Sequence, residues 1–305
     1  MISRRALPFI VLLIGIFAVA SSSILIRFAQ GLGVTSTSIA AWRLILAAII
    51  LLPIALTHGR AELRLLGRRE LALGAVAGLF LALHFITWIS SLEYTSVASS
   101  VALVSTNPLW VGLASLLIFR ERLSRLTMAG IALTVGGSAL IGLSDSGGHG
   151  AANALLGDAL ALLGAISVSI YYLIGRELRR TLGTLSYIWL VYSSGALVMV
   201  AISLLGALAQ GRALASLAQF PPMGWALLLG LALGPQLMGH TIFNWALRHF
   251  SATFVTIALL GEPMGSALLA LLLFGEPFQP LQLAGFAVLL GGIALATVAE
   301  RAAKA

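Results

Sequence analysis

The residues from Pro108 to Leu140 return 155 positions later, without a gap and with 14 identities in 33 positions. Asn107-Pro108 becomes Glu262-Pro263, Phe119-Arg120-Glu121 becomes Phe274-Gly275-Glu276, Ala129-Gly130 becomes Ala284-Gly285, and Gly136-Gly137 becomes Gly291-Gly292. Matched Pro, Phe, Glu and Gly residues cannot be put down to a shared excess of Leu and Ala. Whatever the chain folds into is therefore built twice from one unit.

That unit belongs in a membrane. Only 9% of the 305 residues are charged and 60% are hydrophobic, and the mean hydropathy is +1.05, a balance that no fold with a wetted surface tolerates. A helix needs about 20 mostly apolar residues to cross a hydrocarbon layer of about 30 Å, because each residue adds about 1.5 Å and the backbone must close its own hydrogen bonds. Ten such segments nearly exhaust the sequence. They run over 7–27, 37–57, 71–91, 96–118 and 125–144, then over 155–175, 184–208, 223–247, 252–274 and 280–299.

The fold class expected is an all-α integral membrane protein, with a first five-helix repeat at 1–145, an outer linker at 146–154 and a second repeat at 155–305. The polar, glycine-rich stretch from Ser144 to Gly150 marks the join. Arg4-Arg5 and the small residues Ala18-Val19-Ala20 give the N-terminus the outline of a cleavable signal peptide. The apolar run continues through Ile26, however, and Gly15 and Arg27 have counterparts in Gly164 and Arg176 of the sixth segment, so it is read as helix 1.

With the N-terminus inside, 15 of the 18 Lys and Arg residues fall on the inner side, which places both termini in the cytoplasm. The net charge of +8 thus has a topological explanation and does not call for nucleic acid. Because each repeat has five helices, an odd number, the second enters the membrane upside down. Inverted repeats are a common construction of carriers that alternate access.

Pro108, the Phe119-x-Glu121-Arg122-Leu123 run, Gly130 and Gly136-Gly137, together with their second copy, resemble the repeat signature of the EamA-like branch of the drug/metabolite transporter superfamily. Arg43, in Ala41-Trp42-Arg43-Leu44, resembles a recurrent feature of that branch. The resemblance covers nearly the whole chain and implies a ten-helix, five-plus-five transporter. The group most similar is that of the bacterial aromatic amino acid exporters, which implies efflux of aromatic and other apolar amino acids across the cell inner membrane.

Several residues are candidates for chemistry. Glu262 falls near the middle of the ninth segment, where a bare carboxylate costs several kcal/mol. It is either a partner for a substrate ammonium, a proton-coupling acid, or a bridge between helices beside the Pro263 kink. Its counterpart is Asn107, so an acidic role there belongs to one repeat only. Pro108 and Pro263 lack an N–H and are expected to free the carbonyls of Val104 and Leu259, either towards a ligand or as plain kinks. Pro235, among Gly230, Gly234 and Gly239, makes the eighth segment a candidate bend.

Gln236, His240 and Asn244 recur every fourth residue of that segment and form one polar stripe, and His84, Trp88 and Ser91 share a face of the third. Each His is a proton shuttle near neutral pH or a neutral hydrogen-bonding group between helices. Trp110, two residues past Pro108, is a candidate cavity wall, and Tyr172 lies either at the inner mouth or in an interfacial belt. Arg43 snorkels outward or pairs with Glu93 or Glu276, a structural charge by that reading; a carboxylate-binding role is its alternative. Glu121 and Glu276, at equivalent helix ends, are expected to tie loops together.

The expected function is export of amino acids, chiefly aromatic and other large apolar ones, by alternating access through one central cavity lined by segments 1, 3, 4, 6, 8 and 9. A multidrug or other metabolite exporter on the same scaffold is the alternative, and an intramembrane enzyme using His84 or His240 with Glu262 a more distant one. Partners are a small-molecule substrate, the lipid bilayer and protons. No Gly-x-x-x-x-Gly-Lys-Ser/Thr run offers an ATP site, no His-Glu-x-x-His helix a metal site, and no Cys a thiolate, so neither cofactor nor metal is expected.

Overall fold

The computed structural model describes residues 7–95, 97–120, 123–143, 151–211, 213–274 and 280–302. Among these residues the regular structure is all helical. Helices α1 (Leu7–Gly31), α2 (Ser36–His58), a short α3 (Arg60–Arg64) and α4 (Arg68–Ser91) are followed by α5 (Val97–Val104), α6 (Asn107–Leu117) and α7 (Arg125–Leu143). Then come α8 (Ala151–Leu178), α9 (Thr184–Ala209), α10 (Pro222–Leu231), a π-helical segment Ala232–His240, α11 (Thr241–Ala246), α12 (Ala252–Ala258), a 3-10 turn Leu259–Gly261, α13 (Glu262–Phe274) and α14 (Pro280–Ala302). Linker residues 146–150, Glu121 and Glu276 lie outside the described residues, and the rest of the expected linker, 151–154, is helical as the start of α8.

Among the described residues seven stretches are long and apolar enough to cross a membrane: Leu7–Gly31, Ser36–His58, Arg68–Ser91, Leu155–Leu178, Thr184–Ala209, Pro222–Ala246 and Phe254–Leu273. Three shorter apolar helices, Asn107–Leu117, Arg125–Leu140 and Leu283–Ala296, accompany them. The protein is a multi-pass membrane protein. The fourth expected segment differs from expectation because it is cut in two. Its helix stops at Val104, turns through Ser105 and Thr106, and restarts at Asn107 with Pro108 in the first turn, the place where a missing N–H costs least.

The second copy breaks at the same place. Helix α12 ends at Ala258 and α13 begins at Glu262. Glu262 lies near the middle of the span Phe254–Leu273, as the sequence suggested, where the 3-10 turn passes into the 13-residue helix α13. Asn107 takes the same position on α6.

Packing follows one pattern in both copies. Helix α4 lies along α8, and α1 lies along the segments from α10 to α11; α2 packs on α9 and α7 on α14. The repeated glycines explain the last pair. A Cβ at Gly130 would stand 3.1 Å from the Gly292 carbonyl oxygen, and one at Gly137 2.7 Å from that of Gly285. The two helices therefore cross antiparallel with their backbones nearly touching, an approach that only glycine permits. Arg120 takes a left-handed φ of 53° at the end of α6, and the aligned residue of the second copy is Gly275, the type that adopts this conformation without strain.

Local caps close the helix ends. Thr35 precedes α2, and its hydroxyl accepts the Ser38 N–H at 3.3 Å. Replacement Thr35→Ala is expected to cost about 1 kcal/mol, measured as a lower melting temperature of the purified protein in detergent.

Candidate functional site

The break in each copy brings its first helical residue to a central cavity. The cavity is narrow, with about 30 Å³ open to the centre of a water-sized molecule, and is lined by α1 (Val19, Ser22), α4 (His84, Trp88), the α5–α6 break (Val104, Ser105, Asn107), α8 (Val168, Tyr172), the π segment (Pro235, His240) and the α12–α13 break (Leu259, Leu260, Glu262). These are the six segments expected from the sequence. Helix α2 contributes a seventh wall through Arg43.

Of the candidate binding residues, His84, Trp88, Asn107, Tyr172, His240 and Glu262 line this cavity. His84 and Trp88 stack at 5.7 Å between ring centroids, and His240 approaches His84 at 6.4 Å. His84 Nδ1 lies 3.0 Å from the Gly164 carbonyl oxygen, so this nitrogen carries the donated proton and Nε2 is left to the other side of the ring. Four buried polar atoms on lining residues have no hydrogen-bond partner among the described residues: Trp88 Nε1, Asn107 Oδ1, the Tyr172 hydroxyl and His240 Nδ1. Buried polar groups are nearly always paired. Four unmet ones belong to residues that line a single cavity.

Three candidates are placed elsewhere. Trp110 is half-buried and donates from Nε1 to Thr106 Oγ1 at 3.3 Å, across one turn of its own helix and away from the cavity. Asn244 is fully buried but accepts from the Tyr171 hydroxyl at 2.8 Å and donates to the His240 carbonyl at 2.8 Å. Gln236 receives a hydrogen bond from Arg43. Residues 232–240, which carry two members of the stripe Gln236, His240, Asn244, form a π segment, and of the three only His240 lines the cavity.

The expected pairing of Arg43 with Glu93 is not what the structure holds. Glu93 Oε1 accepts from the Ser36 hydroxyl. Arg43 is 1% exposed, donates from Nε to Gln236 Oε1 at 3.1 Å and from Nη1 to Ser22 Oγ at 3.4 Å, and lies 3.9 Å above the Phe85 ring. Counting along α2 gave its depth but not its direction. Ser22 was legible only as part of the run Ser21-Ser22-Ser23, a polar interruption in an apolar helix.

Just past the end of α8 a second network forms. Arg179 donates from Nε to the Asn244 carbonyl at 3.2 Å, from Nη2 to Thr184 Oγ1 at 2.6 Å, and from Nη1 to the Leu182 carbonyl. Burial, and then the nearby Arg248, bring its pKa down from 12.5 to about 10, so it keeps its charge at neutral pH and ties the ends of α8, α9 and α11 together. A larger groove of about 1260 Å³ runs between α1, the α12–α13 region and α14. Its walls, among them Leu13, Phe17, Leu268 and Leu290, carry no side chain able to hydrogen-bond, and those four are exposed, as a surface in contact with lipid tails should be.

Comparison with known proteins follows the same outline. The profile described as the EamA-like transporter family matches residues 7–143 and 155–298. The uncharacterized transporter YetK of Bacillus subtilis (strain 168) is 24% identical over 210 residues, 68% of this chain, and the match spans 62% of that protein. The uncharacterized transporter YxxF of the same organism is 23% identical over 255 residues, covering 82% of this chain and 77% of YxxF. A crystal structure of another protein, 18% identical, superposes with a TM-score of 0.73 over 98% of this chain and 99% of its own, which is a likeness of fold.

Proposed function

The chain belongs to the EamA-like transporter family, and we propose that it exports amino acids with large apolar side chains across the cell inner membrane by alternating access. The observation that carries the reading is the central cavity, built from both copies, with apolar walls at Val19, Val104, Val168, Leu259 and Leu260 and a few unmet polar atoms between them. A ligand that is mostly apolar, with a small polar head, fits such a lining. A sugar phosphate would call for several buried Lys or Arg residues.

Ten spans in two inverted repeats, at 1–145 and 155–305 with both termini in the cytoplasm, supply the moving parts. Two features support inversion: the matched packing of the copies and the antiparallel crossing of α7 and α14 at their equivalent glycines. The paired breaks at Pro108 and Pro263 are the hinges in this reading. Glu262, at the head of α13, carries the chemistry that Asn107 lacks. It is the partner of the substrate ammonium and the group through which protons couple.

Purified protein in vesicles is expected to show saturable flux of labelled phenylalanine or tryptophan that leaves the compound chemically intact. Absence of flux for every amino acid would sink the substrate assignment, and flux of drugs alone would shift it to a multidrug carrier. Glu262→Gln is expected to lower phenylalanine flux by about tenfold, the worth of one charge-assisted hydrogen bond. A variant with unchanged flux and an unchanged pH profile would remove Glu262 from the mechanism.

A further inference from the structure

The cavity wall contains a buried cation with no anion in contact among the described residues. Every described partner of Arg43 is neutral: the Gln236 amide, the Ser22 hydroxyl and the face of Phe85. Among the described residues no carboxylate comes within ion-pair distance of it; the ion pairs described are those of Glu177 with Arg69 and Arg180. Taking a guanidinium out of water without a counter-charge is among the costliest arrangements a fold can hold. Glu262 lines the same cavity, and the two charges act on one another electrostatically without contact.

The guanidinium is also held in a fixed orientation. Gln236, delivered by the π segment beside Pro235, takes Nε, and Phe85 covers one face. Nη2 has no protein partner among the described residues. With Nε held by Gln236 and Nη1 by Ser22, Nη2 is the donor left open to a carboxylate, which it meets through a charge-assisted hydrogen bond.

We propose that Arg43 anchors the carboxylate of the transported molecule while Glu262 takes its ammonium, so that the site selects α-amino acids by both charges of the zwitterion. Gln236 is the positioning residue that aims Arg43. This proposal rests on the reading of the chain as an amino acid carrier and gives it a recognition rule that apolar burial alone does not supply.

The test uses the full chain in vesicles and measures how well unlabelled compounds compete with labelled phenylalanine. L-Phenylalanine is expected to compete at least about tenfold better than phenethylamine, which lacks the carboxylate, or 3-phenylpropionate, which lacks the ammonium. Arg43→Gln is expected to weaken phenylalanine by about the same factor while leaving phenethylamine unchanged. Gln236→Glu guards against misfolding, because it gives Arg43 an internal carboxylate. It is expected to weaken phenylalanine at least about tenfold without lowering the melting temperature.

Equal competition by phenylalanine and phenethylamine in the parent protein overturns the two-charge rule and leaves amino acid transport standing. A Gln236→Glu protein that keeps full phenylalanine affinity also overturns it. A parent protein that moves no amino acid overturns both this proposal and the reading beneath it.

Discussion

Gly137→Val is expected to melt well below the parent protein in detergent, while Gly136→Ala, one residue earlier, melts at or slightly above it. A Cβ at Gly137 would stand 2.7 Å from both the Gly285 carbonyl oxygen and the Leu289 nitrogen and 2.9 Å from Leu289 Cβ. Two of those three atoms are backbone and cannot swing aside. Forcing helices α7 and α14 apart costs about 1–3 kcal/mol, and more where the backbone itself has to move. Gly136 meets nothing within 4 Å, so there an alanine adds helix propensity worth about 0.5–1 kcal/mol. The same contrast is expected between Gly291, which is open, and Gly292, whose Cβ would meet the Thr134 nitrogen at 2.8 Å. Equal melting temperatures for Gly136→Ala and Gly137→Val would mean that the two helices are not packed in this way.

Asn244→Leu is expected to damage stability and spare recognition. Its amide exchanges hydrogen bonds with the buried Tyr171 hydroxyl and with the His240 carbonyl, and it does not line the cavity. Leucine leaves the Tyr171 hydroxyl with no partner at a fully buried position, a cost of about 1–3 kcal/mol. The melting temperature should fall, and the KM for the transported amino acid should stay within about twofold, since uniform binding is untouched. A large rise in KM with an unchanged melting temperature would instead make Asn244 a ligand-binding residue. This pairing of readouts separates the members of the Gln236, His240, Asn244 stripe, which the sequence presented as equivalents.

The membrane character, the duplication and the residues of the two breaks were legible because each rests on chemistry local to the chain. Apolar length, a missing N–H at proline and the small size of glycine act wherever the residue sits. What escaped reading was direction. Trp110 follows Pro108 by two residues, but the helix restarts at Asn107 and its indole hydrogen-bonds back to Thr106. Pairing of Arg43 with Glu93 or Glu276 is what its countable distance from the helix end suggests, because its azimuth cannot be counted. The sequence does not foretell the π segment either, since nothing in Gly230, Gly234, Pro235 and Gly239 distinguishes a widened turn from a simple kink. The orphaned atoms at Trp88, Asn107, Tyr172 and His240 are a property of four separate helices and have no signature in any one of them.

The two copies bend unequally. Helix α4 runs unbroken from Arg68 to Ser91, whereas its counterpart passes through α10, the π segment and α11. A carrier assembled from two identical halves would face either side of the membrane half of the time, since exchanging the halves would map each state onto the other. Under the proposed alternating access that exchange would be imperfect, so the two end states would differ in free energy before any substrate or ion binds, and a gap of about 1.4 kcal/mol would set their populations at ten to one. In that reading the π segment gives the empty carrier a preferred side on which to wait.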